Sequence, residues 1–190
     1  MLGLWEWRLG FPPKGVPLAA IDLETTGLYP GKDGVTELAV VRVEGEKVYR
    51  FSRLVNPKRP IPERVVRLTG IRNEDVRDAP PIEEVLREAL PLLEGAVWVI
   101  QNAPFDLGFL TPVLRRLGVR ITPKVVDTVS LARAALPGLK SYRLGYLSRV
   151  LALPPRRHHR ALSDAEAALW VFRESYFLLA RGREISLEEL

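Results

Sequence analysis

The sequence predicts an α/β domain in which a mixed sheet is flanked by helices. Three observations predict it. LAAIDL (18–23) is apolar on both faces, as a central strand is. VTELAVVRVEGEKVYRFSRLV (35–55) reads as two strands joined by a short turn. From residue 81 onward, helical and strand-like segments alternate.

Residues 1–17, with FPPKGVP near their end, read as an N-terminal extension leading into the strand 18–23. The hairpin turns at Glu44-Gly45-Glu46-Lys47. NPKRPIPERVVRLTGIRNEDV reads as a loop with short helical turns, because its prolines exclude a central strand. PIEEVLREALPLLEG is a helix closed by Gly95, with Pro91 expected to disturb its last turn, and AVWVI (96–100) is a second buried strand. A helix follows from about Pro104 to Leu117, ended by Gly118. KVVDTVSLARAAL resembles a short strand running into a helix, SYRLGYLSRVLAL is another helix, and the prolines of PPRRHH make that segment a loop. A last helix runs from about Ala161 to Arg181 and stops at Gly182, so the domain is expected over 18–181 with a short tail over 182–190.

With 190 residues the chain can bury one core without covalent help. The lack of cysteine excludes disulfides and thiolate metal sites. No apolar stretch reaches membrane-spanning length, and MLGLWEWRLG lacks the layout of a signal peptide, so a soluble, cytoplasmic protein without membrane partners is expected. Lys+Arg 28 against Asp+Glu 23 gives a net charge of +5 and a pI near 9.7, which suits a polyanionic partner. Three asparagines and a single glutamine suit a thermophile, although a GC-rich genome biases composition the same way.

Against this background the run AAIDLETTG (19–27) carries two carboxylates in a buried strand. Strand side chains alternate, so Asp22 and Glu24 project from one face. An unpaired buried carboxylate costs several kcal/mol, so such a pair calls for cations. In QNAPFDLGFL, Asp106 lies within about 40° of Leu110, Val113 and Leu117 on the following helix and continues its buried stripe. An ordinary first-turn macrodipole preference would instead point it outward. In HHRALSDAEAALWVF, Asp164 aligns with Ala168, Val171 and Ser175 at the edge of a face rich in Trp170, Phe172 and Phe177. His159 precedes that helix on the loop and can reach the same cleft. Four oxygen ligands without cysteine suit Mg²⁺ or Mn²⁺. Two such ions about 4 Å apart, with a histidine base, form a clamp for phosphodiester displacement.

DLETTG, NAPFD and HRALSD, in this order and with H-x4-D in the last, resemble the three motifs of the DEDDh exonucleases. That family includes the proofreading epsilon subunit of bacterial DNA polymerase III, and the likeness covers roughly 18–180. VNPKRPIPERVVRLTGIRNEDV and VVDTVSLAR also resemble its connecting segments. The resemblance implies a ribonuclease H-like fold with a mixed five-stranded sheet. It makes Asp22, Glu24, Asp106 and Asp164 the metal ligands of a two-ion Mg²⁺ or Mn²⁺ site, with His159, not His158, as general base. It further implies 3′–5′ hydrolysis of single-stranded DNA to nucleoside 5′-monophosphates, in proofreading or repair. Thr25, Thr26, Asn102 and Phe105 stand where relatives meet the terminal nucleotide. Phe105 also reads as a core residue, and Asn102 as a helix N-cap.

Gln101-Asn102-Ala103 and Thr69-Gly70-Ile71 stand where many relatives have His-Asn-Ala and His-Gly-Ile, which touches substrate preference and no metal ligand. Asp127 reads as the cap of the helix after it. Arg156, Arg157 and Arg160 flank the base and are candidates for phosphate contacts. The ending GREISLEEL shows no long polymerase-binding tail, so a short epsilon-like protein, possible partner of a polymerase subunit, or a free-standing exonuclease is expected. An RNA-directed exonuclease of the same family and a catalytically silent nucleic-acid-binding module remain the alternatives.

Overall fold

A computed structural model of the chain describes residues 11–154, 159–182, 185, 186, 188 and 189. Its centre is β1 (Leu18–Thr25), paired antiparallel with β2 (Val35–Glu44). β2 turns at Gly45-Glu46 into β3 (Lys47–Leu54), with Glu44 opposite Lys47 as expected. On its other side β1 pairs parallel with β4 (Val97–Ile100), which pairs parallel with β5 (Val125–Asp127). The order β3-β2-β1-β4-β5 is a mixed five-stranded sheet with β1 in the middle. Its position explains the apolar run at 18–21: helices cover both faces.

Alternation along β1 divides the core in two. Ala19, Ile21 and Leu23 pack with Leu38, Val40, Trp98 and Ile100 under α3 (Ile82–Leu93) and α4 (Ala103–Arg116). Leu18 and Ala20 pack with Val41, Val43, Val97 and Val99 under α7 (Ala161–Ala180). Two short helices, α1 (Glu63–Thr69) and α2 (Asn73–Val76), close a small cluster around Ile61, Ile71 and Val76. α5 (Thr128–Ala135) and α6 (Leu144–Val150) lie against α7 through Ala132, Leu147 and Val171.

Several local expectations are corrected. The helix expected over 141–153 is only α6, because Arg143 is extended and the Gln101 side chain donates to the Tyr142 carbonyl oxygen at 2.9 Å. Pro91 sits inside α3, which runs on to Leu93. Phe177 is 47% exposed, not buried, since the stripe facing the sheet follows Ala165, Leu169, Phe172 and Tyr176; the Arg173 guanidinium lies 4.8 Å from its ring centroid. Phe11 of the N-terminal extension is buried 5.1 Å from the Trp170 ring. In the tail, Ile185 is tied to the Tyr176 hydroxyl by two hydrogen bonds of 2.7 and 2.9 Å. Among the described residues no helix is long and apolar enough to cross a membrane.

Candidate active site

Asp22 and Glu24 continue the face of β1 that begins with Leu18 and Ala20, so they point toward α7. Asp164 stands in the first turn of α7, buried as its alignment with Ala168, Val171 and Ser175 requires. The three carboxylates offer oxygens that all lie within 4.8 Å of one another. Strand alternation supplies two of them, and a helix laid across the strand supplies the third.

Asp106 reaches the same region from the opposite side of the sheet. Pairing of β4 with β1 ends at Ile21 and Ile100, while β1 stays paired with β2 on its other edge, so on the β4 side the Leu23 N–H has no strand partner. The carboxylate of Asp106 takes that donor at 3.1 Å from the start of α4. With 3% of its surface exposed, Asp106 points inward as its helical stripe predicts, although it does not join the set of three.

This concentration of like charge shows in the acidities. The Asp22 carboxyl is raised well above the ordinary range, first by burial and then by the charges of Asp106, Asp164, Glu24 and Glu37. Burial and the neighbouring Asp164 and Glu37 push Glu24 up to about 8. Burial also pushes Asp106 up to about 8, against the lowering effect of the Leu23 N–H. Three carboxyls whose ionisation burial opposes, with Asp164 next to two of them, fit a divalent cation, whose charge favours the carboxylate form. Asp22, Glu24 and Asp164 would hold it, with Asp106 beside them.

The base expected at His159 lies directly before α7. Its backbone is left-handed (φ 58°), and its amide donates to Asp164 Oδ2 at 3.0 Å. His159 and Asp164 line the same cleft of about 930 Å³, together with Asn102 and Tyr142. The pairing of a histidine with the third carboxylate is therefore local, set by one turn of chain.

Sequence reasoning missed Glu37. It lies on β2 directly opposite Glu24, on the α7 face, and is 2% exposed. Arg160 grips it with two bonds, Nη2 to Oε1 at 2.8 Å and Nε to Oε2 at 3.1 Å, and the Ala161 N–H donates to Oε2 at 3.0 Å. A carboxylate in the otherwise apolar run around ELAVV is the same kind of signal as Asp22, but its meaning depends on strand register. Arg160, a candidate phosphate contact, is thus engaged by Glu37; Arg156, Arg157 and His158 lie outside the described residues.

Asp127 caps more than its own helix. It accepts from the Val129 N–H at 3.1 Å as expected, and also from Asn102 and Ala103 N–H at 2.9 and 3.4 Å. Asn102 does occupy the N-cap position of α4, but it is left-handed (φ 63°) and its side chain makes no capping bond, so Asp127 does that work from β5. Among the expected nucleotide contacts, Thr25 donates to the Gly27 carbonyl at 2.6 Å and stays partly exposed. The Thr26 side chain is buried and staples the loop: its hydroxyl donates to Asp33 and accepts from the Gly34 N–H. A contact from that hydroxyl to a nucleotide is therefore not what this structure prepares. Phe105 is half-buried and packs 5.2 Å from the Phe109 ring, at the margin of the core.

Comparison with known proteins agrees with this geometry. The family described as Exonuclease (RNase_T) matches residues 19–172. The 3′-5′ exonuclease DinG of Bacillus subtilis is 42% identical over 157 residues, 81% of this chain and 17% of DinG. A PolC-type DNA polymerase III of Caldanaerobacter subterraneus is 36% identical over 170 residues, 89% of this chain and 12% of that protein. The chain thus spans less than a fifth of either relative. Among solved structures, exonuclease X in complex with 5′ overhanging duplex DNA is 34% identical with a TM-score of 0.62, over 81% of this chain and 89% of that one. A 3′-exonuclease that recognises a histone mRNA stem-loop shares the fold, with a TM-score of 0.73 at 16% identity over 93% of this chain and 68% of that one. The motifs, the ribonuclease H-like sheet and these matches agree, and the chain belongs to the exonuclease family.

Proposed function

We propose that this chain is a 3′–5′ exonuclease that hydrolyses the terminal phosphodiester of single-stranded DNA and releases nucleoside 5′-monophosphates, in proofreading or repair. The observation that carries the reading is the set Asp22, Glu24 and Asp164, with oxygens within 4.8 Å of one another. Divalent ions, Mg²⁺ or Mn²⁺, supply Lewis-acid stabilisation of the transferring phosphoryl group and of the departing oxygen when bound.

The protein's own groups do the rest. Asp22, Glu24 and Asp164 would hold those ions, with Asp106 as the fourth carboxylate beside them. His159, in the cleft beside Asp164, takes the proton of the attacking water. The water oxygen bonds to phosphorus, the bond to the 3′ oxygen of the next nucleotide breaks, and that oxygen leaves and is protonated. Thr25, Asn102 and Phe105 surround the terminal nucleotide, and stacking on Phe105 tolerates any base. The left-handed backbone of His159 and its amide bond to Asp164 keep base and ligand in one unit.

The test is digestion of a 3′-labelled oligonucleotide, as DNA and as RNA of the same sequence, with Mg²⁺ or Mn²⁺. Release of 5′-mononucleotides from DNA, lost in Asp22→Ala, Asp164→Ala and His159→Ala, is the expected result. Unchanged digestion by those variants overturns the site. Digestion of RNA with no action on DNA overturns the substrate.

A further inference from the structure

The cleft that holds His159 and Asp164 does not end at them. Its other wall is built by α5, α6 and the loop between: Arg133, Tyr142, Arg143, Tyr146 and Arg149. From these residues we infer that the wall is a track for the single strand upstream of the scissile linkage, gripping phosphates with arginine and stacking bases on Tyr146. The inference rests on the nuclease reading above and adds where the substrate lies.

Charge is the first support. Arg133, Arg143 and Arg149 are exposed, and among the described residues none of the three forms an ion pair. Arg50 and Arg116, by contrast, are held by Glu166 and Glu83. The cleft lining contains no acid other than Asp164. Three unneutralised guanidinium groups on one wall of a cleft concentrate a polyanion there.

Arrangement is the second. The Arg133 guanidinium lies 5.2 Å from the centroid of Tyr142, and that of Arg149 lies 5.7 Å from Tyr146. A guanidinium laid on a ring keeps its N–H donors free for phosphate oxygens while its orientation is fixed. The wall itself is anchored. Tyr142 donates its hydroxyl to the Leu136 carbonyl at 2.8 Å, and Gln101 at the end of β4 holds both the Tyr142 carbonyl and the Thr128 hydroxyl. Alternating cations and aromatic faces beside a catalytic centre are how sequence-tolerant single-strand grooves are built.

Binding of a fluorescent oligothymidylate to the full chain in a chelator, across a salt series, tests this apart from hydrolysis. Each of Arg133→Gln, Arg143→Gln and Arg149→Gln is expected to reduce the slope of log affinity against log salt by about 0.7. The triple variant should bind about a hundredfold more weakly at low salt, and Tyr146→Ala about tenfold. Arg149→Lys should keep the wild-type slope because it keeps the charge. Arg87→Gln, on α3 and the other face of the sheet, should also keep it. A triple variant with wild-type slope and affinity overturns the track, whether or not the enzyme cleaves. Failure of the wild-type chain to hydrolyse, with these slope changes present, overturns the nuclease reading alone.

Discussion

Arg160 and Glu37, 123 residues apart in the chain, form a two-pronged ion pair at 2.8 and 3.1 Å beneath the candidate active site. Glu37 sits across from Glu24, and two like charges directly opposed on one sheet face repel. The guanidinium balances that repulsion, and the Ala161 N–H bond to the same carboxylate fixes where α7 begins. Since His159 and Asp164 lie at that beginning, this pair sets their distance from Asp22 and Glu24.

Glu37→Gln should therefore lower kcat by about tenfold or more while KM for the oligonucleotide changes little. Arg160 is one third exposed, which moderates the cost, so a loss of about 1–2 kcal/mol of stability is expected. Arg160→Met should be worse, because it leaves Glu37 buried opposite Glu24. A double variant whose kcat loss merely multiplies the two single losses would show that the residues act separately.

In the metal-free protein, stability should fall as pH rises. Glu24 and Asp106 titrate near 8 when folded and near their ordinary carboxyl values when unfolded. Between those values the native state binds more protons than the unfolded one. Their contribution is complete below the unfolded pKa and is lost as pH climbs through about 8. Thermal melts in chelator should show Tm declining from about pH 5 to pH 9. Added Mn²⁺ should remove most of the decline, and its binding should release protons. A metal-free Tm that is flat across that range contradicts the repulsive cluster.

Removing one member of the cluster should stabilise the metal-free chain. Asp22→Asn keeps shape and deletes a charge that burial and four neighbouring carboxylates oppose. A rise of about 2–6 °C in Tm without metal is expected, together with loss of Mn²⁺ stabilisation and of hydrolysis. Calorimetric melts with and without Mn²⁺ read both effects at once.

Asp127 is predicted to matter beyond its own helix. Asp127→Ala removes the acceptor of the Asn102, Ala103 and Val129 amides and should cost about 1–2 kcal/mol. Asn102→Gly should fold as well as the parent, since glycine accepts φ 63°, whereas Asn102→Val should not. Urea denaturation of the three variants checks the ranking.

What local sequence determined is considerable. The alternation of β1 gave Asp22 and Glu24 a shared face, and helical periodicity turned Asp106 and Asp164 inward, because both patterns depend only on neighbours in the chain. The hairpin at Gly45 and the starts and ends of α4 and α7 are legible for the same reason. Only the tertiary structure decided the partners. Which strand lies beside β1 determines that Glu37 faces Glu24, that Leu23 is left for Asp106, and that Asp127 rather than Asn102 caps α4. The wall of Arg133, Arg143 and Arg149 comes into existence when α5 and α6 are laid against α7, and single-element periodicity carries no trace of it. Register and packing are set by the burial of two whole sheet faces, a property of the assembled core, so residues whose meaning lies in what they meet across it become readable only after it has formed.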